Sequence, residues 1–322
     1  MKLLNKYIDK ISNKVILQIN GLLDEKISNR FDKIQNSLGR IEARQIELKN
    51  STDIHNNEFK VYSQWGEDGI IQYLINNIEI KNKIFIEFGV QNYVESNTRF
   101  LLINNNWSGL VLDSSMEYID YIKSDDIYWK HNLKAEQHFV TVENINNIIK
   151  NAGIPEDIGI LSIDIDGNDY WIWKTIDIIS PRIVICEYNS LFGQYSSVVI
   201  PYKNDFTRHV AHFSGSYFGA SIKAFNDLAL QKGYSLVGSN SAGNNLFFVR
   251  NDLKNNFKIL SHEEAYVKCQ YRESRDSSGA LNYSNFEERL NFIKDMPLYD
   301  LESNKMIKAA DIKLGKEIKN EM

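Results

Sequence analysis

The sequence predicts an α/β protein with a doubly wound, mostly parallel sheet of seven strands that ends in an antiparallel hairpin. From residue 62 to 252, short apolar runs alternate with helical stretches, which is typical of such a sheet. Most of the runs are apolar at nearly every position, as expected of parallel strands covered on both faces. The last two runs are separated only by the polar segment 238–245, which is typical of a hairpin.

The strands and helices are predicted in alternating order along this part of the chain. The predicted strands are Ile84–Phe88, Gly109–Leu112, Phe139–Val142, Ile158–Ile163, Ile183–Cys186, Tyr234–Val237 and Leu246–Val249. The predicted helices are Glu67–Asn77, Ser96–Asn105, Glu143–Asn151 and Gly219–Lys232. We therefore expect five parallel strands followed by an antiparallel pair.

Residues 1–50 are predicted to form a helix that precedes the sheet. Its apolar residues recur in steps of four and three, with Gln45 at the one polar core position: Ile27, Phe31, Ile34, Leu38, Ile41 and Leu48. This spacing is the period of a coiled-coil seam, with charged residues between the core positions. We expect a homo-oligomer formed through this coiled coil. The alternative is an amphipathic helix that packs on its own sheet domain.

The remaining boundaries follow from changes in composition. Residues 51–61 are predicted as a linker, 62–252 as the sheet domain, and 253–322 as a helical C-terminal extension or cap. The extension is expected to pack on the sheet domain or to cover its site. It ends in a charged segment that is expected to fray.

Composition excludes several classes of protein. The 322 residues carry a net charge of −5 and a pI near 5.8, which argues against a nucleic-acid partner. The two cysteines, Cys186 and Cys269, are too few for a disulfide framework or a zinc site of four thiolates, so a reducing, cytoplasmic location is expected. No apolar run approaches the ~18 residues of a membrane span. The N-terminus has no signal-peptide core.

Acidic residues follow four of the five predicted parallel strands. They are Glu87, Asp113, Asp164 with Asp166, and Glu187, which is followed closely by Asn189. Any one of them could simply be a helix cap or a solvated loop residue. Together they lie at the edge where open parallel sheets bind ligands. Burying several acids there is costly unless a cation, a ribose or a basic substrate occupies the site.

The loop after the first strand argues against a dinucleotide. Such a site needs three glycines so that a pyrophosphate can approach the helix N-terminus. Here Gly89 is followed by Gln91, Asn92 and Tyr93. NAD binding is therefore disfavoured, whereas a ligand with adenosine and no pyrophosphate stays compatible.

Residues 62–250 resemble a known enzyme family. The segments that carry the resemblance are 63–69 (SQWGEDG), 85–89 (FIEFG), 95–98 (ESNT), 107–113 (WSGLVLD), 161–170 (LSIDIDGNDY) and 217–221 (YFGAS). In this order they resemble class I S-adenosylmethionine-dependent methyltransferases, which have a Rossmann-like sheet. They are most similar to the FkbM-type and related bacterial sugar O-methyltransferases.

The resemblance implies S-adenosyl-L-methionine as the cofactor and assigns roles to individual residues. Asp164 and Asp166 would face the methyl donor and the acceptor. The cofactor-binding positions it implies lie before the first strand and after the first two: Gln64, Asp68, Glu87, Gly89 and Asp113. Gln91 and Tyr93 depart from the family's pattern, which has glycines at these two places.

Methylation of a sugar hydroxyl needs a general base or a metal ion, because the hydroxyl is a poor nucleophile at neutral pH. His212 is the first candidate for the base, with His209 and Asp166 as alternatives. Asp164, Glu187 and Asn189 are oxygen ligands suited to Mg²⁺, and similar positions hold magnesium in the TylF-type macrolide-sugar methyltransferases. The alternative is that Asp164 contacts the substrate and Glu187 is structural.

The expected function is methylation of a sugar or nucleotide-sugar in the synthesis of capsule or lipopolysaccharide. Two other functions stay open. Asp164-Ile165-Asp166 is a D-x-D sequence, the metal-binding motif of many glycosyltransferases. A non-catalytic scaffold, with a degenerate methyltransferase domain clustered by the coiled coil, would explain the poor glycine loop.

Overall fold

The computed structural model describes residues 27, 30–49 and 51–315, and a seven-stranded sheet forms its centre. The strands of the described residues are β1 (Ile84–Phe88), β2 (Ser108–Asp113), β3 (Leu133–Gln137), β4 (Ile160–Ile163), β5 (Ile183–Glu187), β6 (Val198–Val199), β7 (Tyr234–Ser239), β8 (Asn245–Arg250), β9 (Pro297–Asp300) and β10 (Lys305–Lys308). The large sheet has the order β3-β2-β1-β4-β5-β8-β7. Strands β1 to β5 are parallel, and β8 is antiparallel to both β5 and β7. This confirms the predicted fold class.

The strand order places a binding crevice at the centre of the sheet. Strand β1 pairs with β2 on one side and with β4 on the other, so the direction of winding reverses between β1 and β4. Loops that leave two such strands diverge and leave a crevice beyond their carboxyl ends. The central strands are buried on both faces, as their apolar sequences predict.

The third strand differs from the prediction. It is β3, residues Leu133–Gln137, rather than Phe139–Val142. Among the described strands it is an edge strand that pairs with β2 alone, and it buries Leu133 and Ala135 while Lys134 is exposed. A short strand with only two buried side chains gives a weak apolar signal. Phe139 lies instead in the loop that follows β3.

Helices cover both faces of the sheet, and the four predicted between strands are present with slightly later starts or earlier ends. The described helices are α1 (30–49), α2 (Glu67–Asn76), α3 (Arg99–Asn104), α4 (Met116–Ser124), α5 (Asp126–Lys130), α6 (Ile145–Asn151), α7 (Asp169–Thr175), α8 (Arg208–Ala211), α9 (Ile222–Lys232), α10 (His262–Ala265) and α11 (Phe286–Phe292). Local signals set the boundaries of α9. Ser221 caps its first turn, and Gly233, at φ 82°, ends it in a left-handed conformation. None of the helices in the described part of the chain is both long and apolar enough to cross a bilayer.

Residues 253–315 pack against the sheet domain through a second sheet of order β10-β9-β6. Strand β9 pairs with β6, which lies in the loop region after β5. The extension therefore contains strands as well as the predicted helices. The linker segment also packs on the domain, since Ile54 and Asn57 are buried.

Helix α1 packs on the sheet domain through one face and leaves the other face in solvent. Ala43 and Ile46 are buried, whereas the heptad positions from Ile27 to Leu48 are exposed. The upstream apolar positions of the predicted helix, in residues 1–26, lie outside the described residues. The coiled coil thus remains a prediction.

Candidate active site

The loop after β1 has backbone conformations that normally favour glycine. Gly89 has a φ of 73°, and a Cβ added there would lie 1.6 Å from the carbonyl oxygen of Asp164. The turn therefore requires glycine, because the loops after β1 and β4 touch at this point. Gln91 and Tyr93 also have positive φ values, of 48° and 61°. The loop thus has left-handed conformations at two positions that are not glycine.

Glu87 holds the start of α3 from the end of β1. Its Oε1 accepts a hydrogen bond from the Asn97 backbone N–H (2.8 Å), and its Oε2 accepts from the Thr98 N–H (3.1 Å) and hydroxyl (2.5 Å). Burial raises the pKa of Glu87 to about 7, although these hydrogen bonds oppose the shift. Glu87 lines a small cavity of about 110 Å³ with Gly89 and Gln64, hereafter the Glu87 cavity.

Asp113, at the end of β2, is fixed with its carboxylate toward a second cavity. Its two oxygens accept hydrogen bonds from the backbone N–H groups of Gln91 and Ser115, each at 2.8 Å. Each carboxylate oxygen keeps a further acceptor position for a ligand hydroxyl. This cavity of about 240 Å³, hereafter the Asp113 cavity, is also lined by Tyr118 and Phe139.

Asp68 binds the backbone of residues 61–63, which precede β1. Its buried Oδ2 accepts hydrogen bonds from the N–H groups of residues 61–63 and from the Ser63 hydroxyl. Burial raises its pKa to about 6, and these hydrogen bonds oppose the shift. Gln64 follows directly and lines the Glu87 cavity, whereas Asp68 is absent from the described linings of the cavities at this edge. Asp68 therefore positions Gln64.

The loop after β4 turns around a buried carboxylate. Asp169 accepts hydrogen bonds from the Ile165 N–H (2.8 Å) and the Gly167 N–H (2.9 Å), and it is fully buried. Asp166 has a φ of 55°, so the chain bends sharply at this residue. The bend brings Asp164 and Asp166 to one cavity at the edge of the sheet.

Asp164, Asp166 and Glu187 form an acid cluster. One carboxylate oxygen from each residue lies within 4.8 Å of the other two. Burial, together with the charges of the neighbouring acids, raises the pKa values of Asp164 and Glu187 well above the usual range. The Oε2 of Glu187 is buried and has no hydrogen-bond partner within the described structure. The cluster can therefore hold a proton or bind a cation.

Arg208 supplies positive charge beside the acid cluster. Its Nη1 lies 2.6 Å from Asp166 Oδ1, and its Nη2 lies 3.9 Å from Glu273. Burial lowers the pKa of Arg208, but the charges of Asp166 and Glu187 raise it further, so it stays protonated. The guanidinium also stacks 4.2 Å from the centre of the Phe218 ring.

Two predicted site residues are placed differently. The side-chain amide of Asn189 donates to the carbonyls of Ser216 and Phe218, and its oxygen accepts from the Leu191 N–H. The Asn189 side chain is thus held by backbone groups, whereas the described acids close enough together to hold a metal ion are Asp164, Asp166 and Glu187. His212 pairs with the Ser214 hydroxyl at 2.8 Å, and burial lowers its pKa.

The acid cluster opens into a third cavity of about 340 Å³, hereafter the acid cavity. Its described lining is Gln64, Trp65, Gly89, Gln91, Asp164, Asp166, Glu187, Arg208, His209, Asn244, Tyr271 and Glu273. His209 is part of this lining and His212 is not. The acid cavity, the Glu87 cavity and the Asp113 cavity all share Gly89, Gln91 and Asp164. These three residues mark the junction of the site.

Several lining residues were not predicted from the sequence. Trp65 lies in the SQWGEDG segment and could have been noticed there. Arg208 immediately precedes His209, but nothing in the sequence pairs it with Asp166. Tyr271 and Glu273 belong to the C-terminal extension, which carries no recognisable motif.

The chain resembles other known proteins in structure but not in sequence. No protein-family model matches the chain, and no curated protein matches it in sequence. An O-methyltransferase from Bacillus cereus in complex with SAH is 15% identical over 52% of this chain and 74% of that one, with a TM-score of 0.34. The N-terminal domain of EvdMO1 with SAH bound is 9% identical over 65% and 94%, with a TM-score of 0.38. An S-adenosylmethionine-dependent methyltransferase from Clostridium acetobutylicum is 10% identical over 57% and 90%, with a TM-score of 0.37.

Proposed function

We propose that the protein is an S-adenosylmethionine-dependent O-methyltransferase. The observation that carries the proposal is the junction at Gly89, Gln91 and Asp164, where three cavities meet beyond the crevice between β1 and β4. A donor that occupies the Asp113 and Glu87 cavities would place its reactive centre at this junction. The acceptor would then approach from the acid cavity.

The residues at the edge fit an adenosyl donor without a pyrophosphate. Asp113 would accept hydrogen bonds from both ribose hydroxyls, since its carboxylate is already oriented by backbone N–H groups. Tyr118 and Phe139 would flank the adenine, and Gln64 would close the methionine end. Glu87 and Asp68 would shape the loops around the donor. When bound, the donor supplies a methyl group carried on a sulfonium sulfur.

Asp164, paired with Glu187, is the proposed general base in place of His212. Asp164 lies at the junction, and burial together with the charges of Asp166 and Asp169 raises its pKa, so the carboxylate is basic enough to accept a hydroxyl proton. Asp166 would keep Arg208 in place. The acid cavity would hold the acceptor hydroxyl against this pair and exclude bulk water.

The lining favours a sugar as the acceptor. Carboxylates from Asp166, Glu187 and Glu273 offer hydrogen-bond acceptors to a ligand rich in hydroxyl groups. Trp65 and Tyr271 are stacked, with ring centres 6.5 Å apart, and supply apolar surface for the face of a sugar ring. Within the proposal, the acceptor is a sugar or nucleotide-sugar of surface-polysaccharide synthesis, made in the cytoplasm, where free Cys186 and Cys269 would stay reduced.

The donor atoms of the acid cluster also fit a divalent cation. Three carboxylate oxygens lie within 4.8 Å of one another, and the buried Oε2 of Glu187 has no partner among the described residues, which suits Mg²⁺. The ligands would be Asp164, Asp166 and Glu187, with Arg208 competing for Asp166. As the alternative to Asp164 acting as the base, Mg²⁺ would supply a positive charge that acidifies the acceptor hydroxyl.

A methyl-transfer screen tests the function. The full-length protein is incubated with labelled S-adenosylmethionine and a panel of sugars and nucleotide-sugars, with either Mg²⁺ or EDTA. We expect label on at least one acceptor, with less transfer in EDTA if the cation assists. Binding of a nucleotide-diphosphate sugar with Mg²⁺ and no donor binding would favour the glycosyltransferase. Binding of neither would favour the scaffold.

Replacing Asp113 with Asn is expected to weaken donor binding by about 1–3 kcal/mol, because ribose hydroxyls lose a charged acceptor. Titration of S-adenosylhomocysteine into both proteins measures the effect. Asp120→Asn is the control, because Asp120 is an exposed acid of α4 outside the described cavity linings. Equal affinities for Asp113→Asn and the wild-type protein would remove Asp113 from the ribose role.

We also propose that copies of the protein associate through the seam on the outer face of α1. Self-association along the positions from Ile27 to Leu48 would bury apolar side chains that the monomer exposes.

A further inference from the structure

The inner face of α1 packs on the segment that leads into the active site. The Gln35 amide donates to the Val61 carbonyl, and the Asn36 amide donates to the Tyr62 hydroxyl. A Cβ added at Gly39 would lie 2.5 Å from a methyl carbon of Val61. The helix and residues 61–62 are therefore in close contact along one full turn.

The same segment continues into the wall of the candidate donor and acceptor cavities. The N–H groups of residues 61–63 are bound by Asp68, and the Tyr62 carbonyl accepts from the Ser96 N–H at 3.0 Å. Gln64 and Trp65 come next, and both line the acid cavity. Lys60 donates to the Gln64 carbonyl at 2.8 Å, which ties the two ends of the segment together. The position of α1 therefore influences the position of Gln64 through residues 61–63.

The outer face of α1 carries an apolar stripe that no other described part of the chain covers. The seam positions Ile27, Phe31, Ile34, Leu38, Ile41 and Leu48 are all at least 50% exposed. Together they present on the order of 600 Å² of apolar surface, which is at the upper end for a monomer. Two copies would bury on the order of 1,200 Å² along this stripe, which reaches the range of specific interfaces. Steps of four and three residues match a second helix with the same repeat.

We infer that a second copy of the chain packs along this seam and that the resulting assembly strengthens donor binding at the site of the same chain. The inference rests on the proposed donor site. A single helix of this length is marginal in water, and the described inner contacts of α1 bury few apolar side chains beyond Ala43 and Ile46. Pairing of the seams stabilises the helix, the helix fixes residues 61–62, and these fix Gln64. Reciprocity then requires that donor binding also favour assembly.

Paired double variants of the full-length protein test the inference. Ile34→Gln with Leu38→Gln removes two seam side chains, and Lys33→Gln with Arg40→Gln is the control at exposed positions outside the seam. Light scattering measures the mass, and titration with S-adenosylhomocysteine measures affinity. We expect the seam variant to fall to 37.3 kDa, the mass of one chain, and to bind about tenfold more weakly. The control variant is expected to match the wild-type protein.

Each other result overturns a defined part of the inference. A seam variant that keeps the wild-type mass would show that this stripe does not hold two copies together. A monomeric seam variant with unchanged affinity would remove the coupling. Failure of every protein to bind S-adenosylhomocysteine would defeat the proposed function and the coupling together, while the masses would still decide the assembly.

Discussion

Replacing Asp164 with Asn is expected to lower the turnover of methyl transfer by about 10²–10⁴-fold, because the proposed base can no longer accept the hydroxyl proton. Donor affinity should change little, since the ribose and methionine ends of the donor would contact other residues. Initial-rate kinetics and titration with S-adenosylhomocysteine separate the two effects. The substitution keeps the size of the side chain, so the junction with Gly89 and Gln91 is preserved.

The dependence of turnover on pH provides a second readout. Burial and the neighbouring acids raise the pKa of Asp164 and of Glu187, so the pair keeps a proton to higher pH than an ordinary carboxyl group. Since the base must be deprotonated, turnover should rise with pH through this range in the wild-type protein and be flatter in Asp164→Asn. Asp166→Asn is the matched control and should lose less turnover than Asp164→Asn, because the Asp166 side chain is half exposed and paired with Arg208. Wild-type turnover in Asp164→Asn would reject Asp164 as the base.

Replacing Gly89 with Ala is expected to destabilise the fold by at least about 2–3 kcal/mol and to abolish measurable donor binding. The new Cβ would lie 1.6 Å from the Asp164 carbonyl oxygen, and the backbone is left-handed, with a φ of 73°. Relief of the clash requires the loops after β1 and β4 to separate, which would break the junction of the three cavities. Denaturant unfolding measures the stability.

Gly153→Ala isolates the clash from the backbone strain. Gly153 has a similar φ of 70°, but a Cβ there would meet no atom within 4 Å. Gly153→Ala should lower the free energy of unfolding by only about 1 kcal/mol, which is the penalty for a side chain in a left-handed conformation. Equal destabilisation by the two substitutions would show that the loops after β1 and β4 are not in tight contact.

The fold could be predicted where buried segments have a recognisably apolar sequence. Strand β1 coincides with its prediction because both of its faces are covered, so its residues are almost all apolar. The edge strand β3 begins six residues before its predicted start, because only alternate residues of an edge strand need to be buried and the apolar signal is weak. The C-terminal strands β9 and β10 were missed, since they are short and half exposed.

The candidate site was predictable only in part, for a similar reason. Acids that directly follow parallel strands must meet at one edge, so Asp113, Asp164 and Glu187 could be found from the sequence. Arg208 and Tyr271 reach the cavity from segments whose course depends on tertiary packing. Two of the hydrogen bonds that occupy the side chain of Asn189 are made with the carbonyls of Ser216 and Phe218 in a distant loop, and no local pattern signals them.

A crystal structure of the full-length protein with S-adenosylhomocysteine would show directly whether the donor binds beyond the ends of β1 and β2. We expect the ribose hydroxyls to contact the Asp113 carboxylate, the sulfur to lie at the junction beside Gly89, and the acid cavity to stay open to the acceptor. Absence of the ligand at millimolar concentration, or its presence away from the ends of β1 and β2, would rule out the proposed donor site.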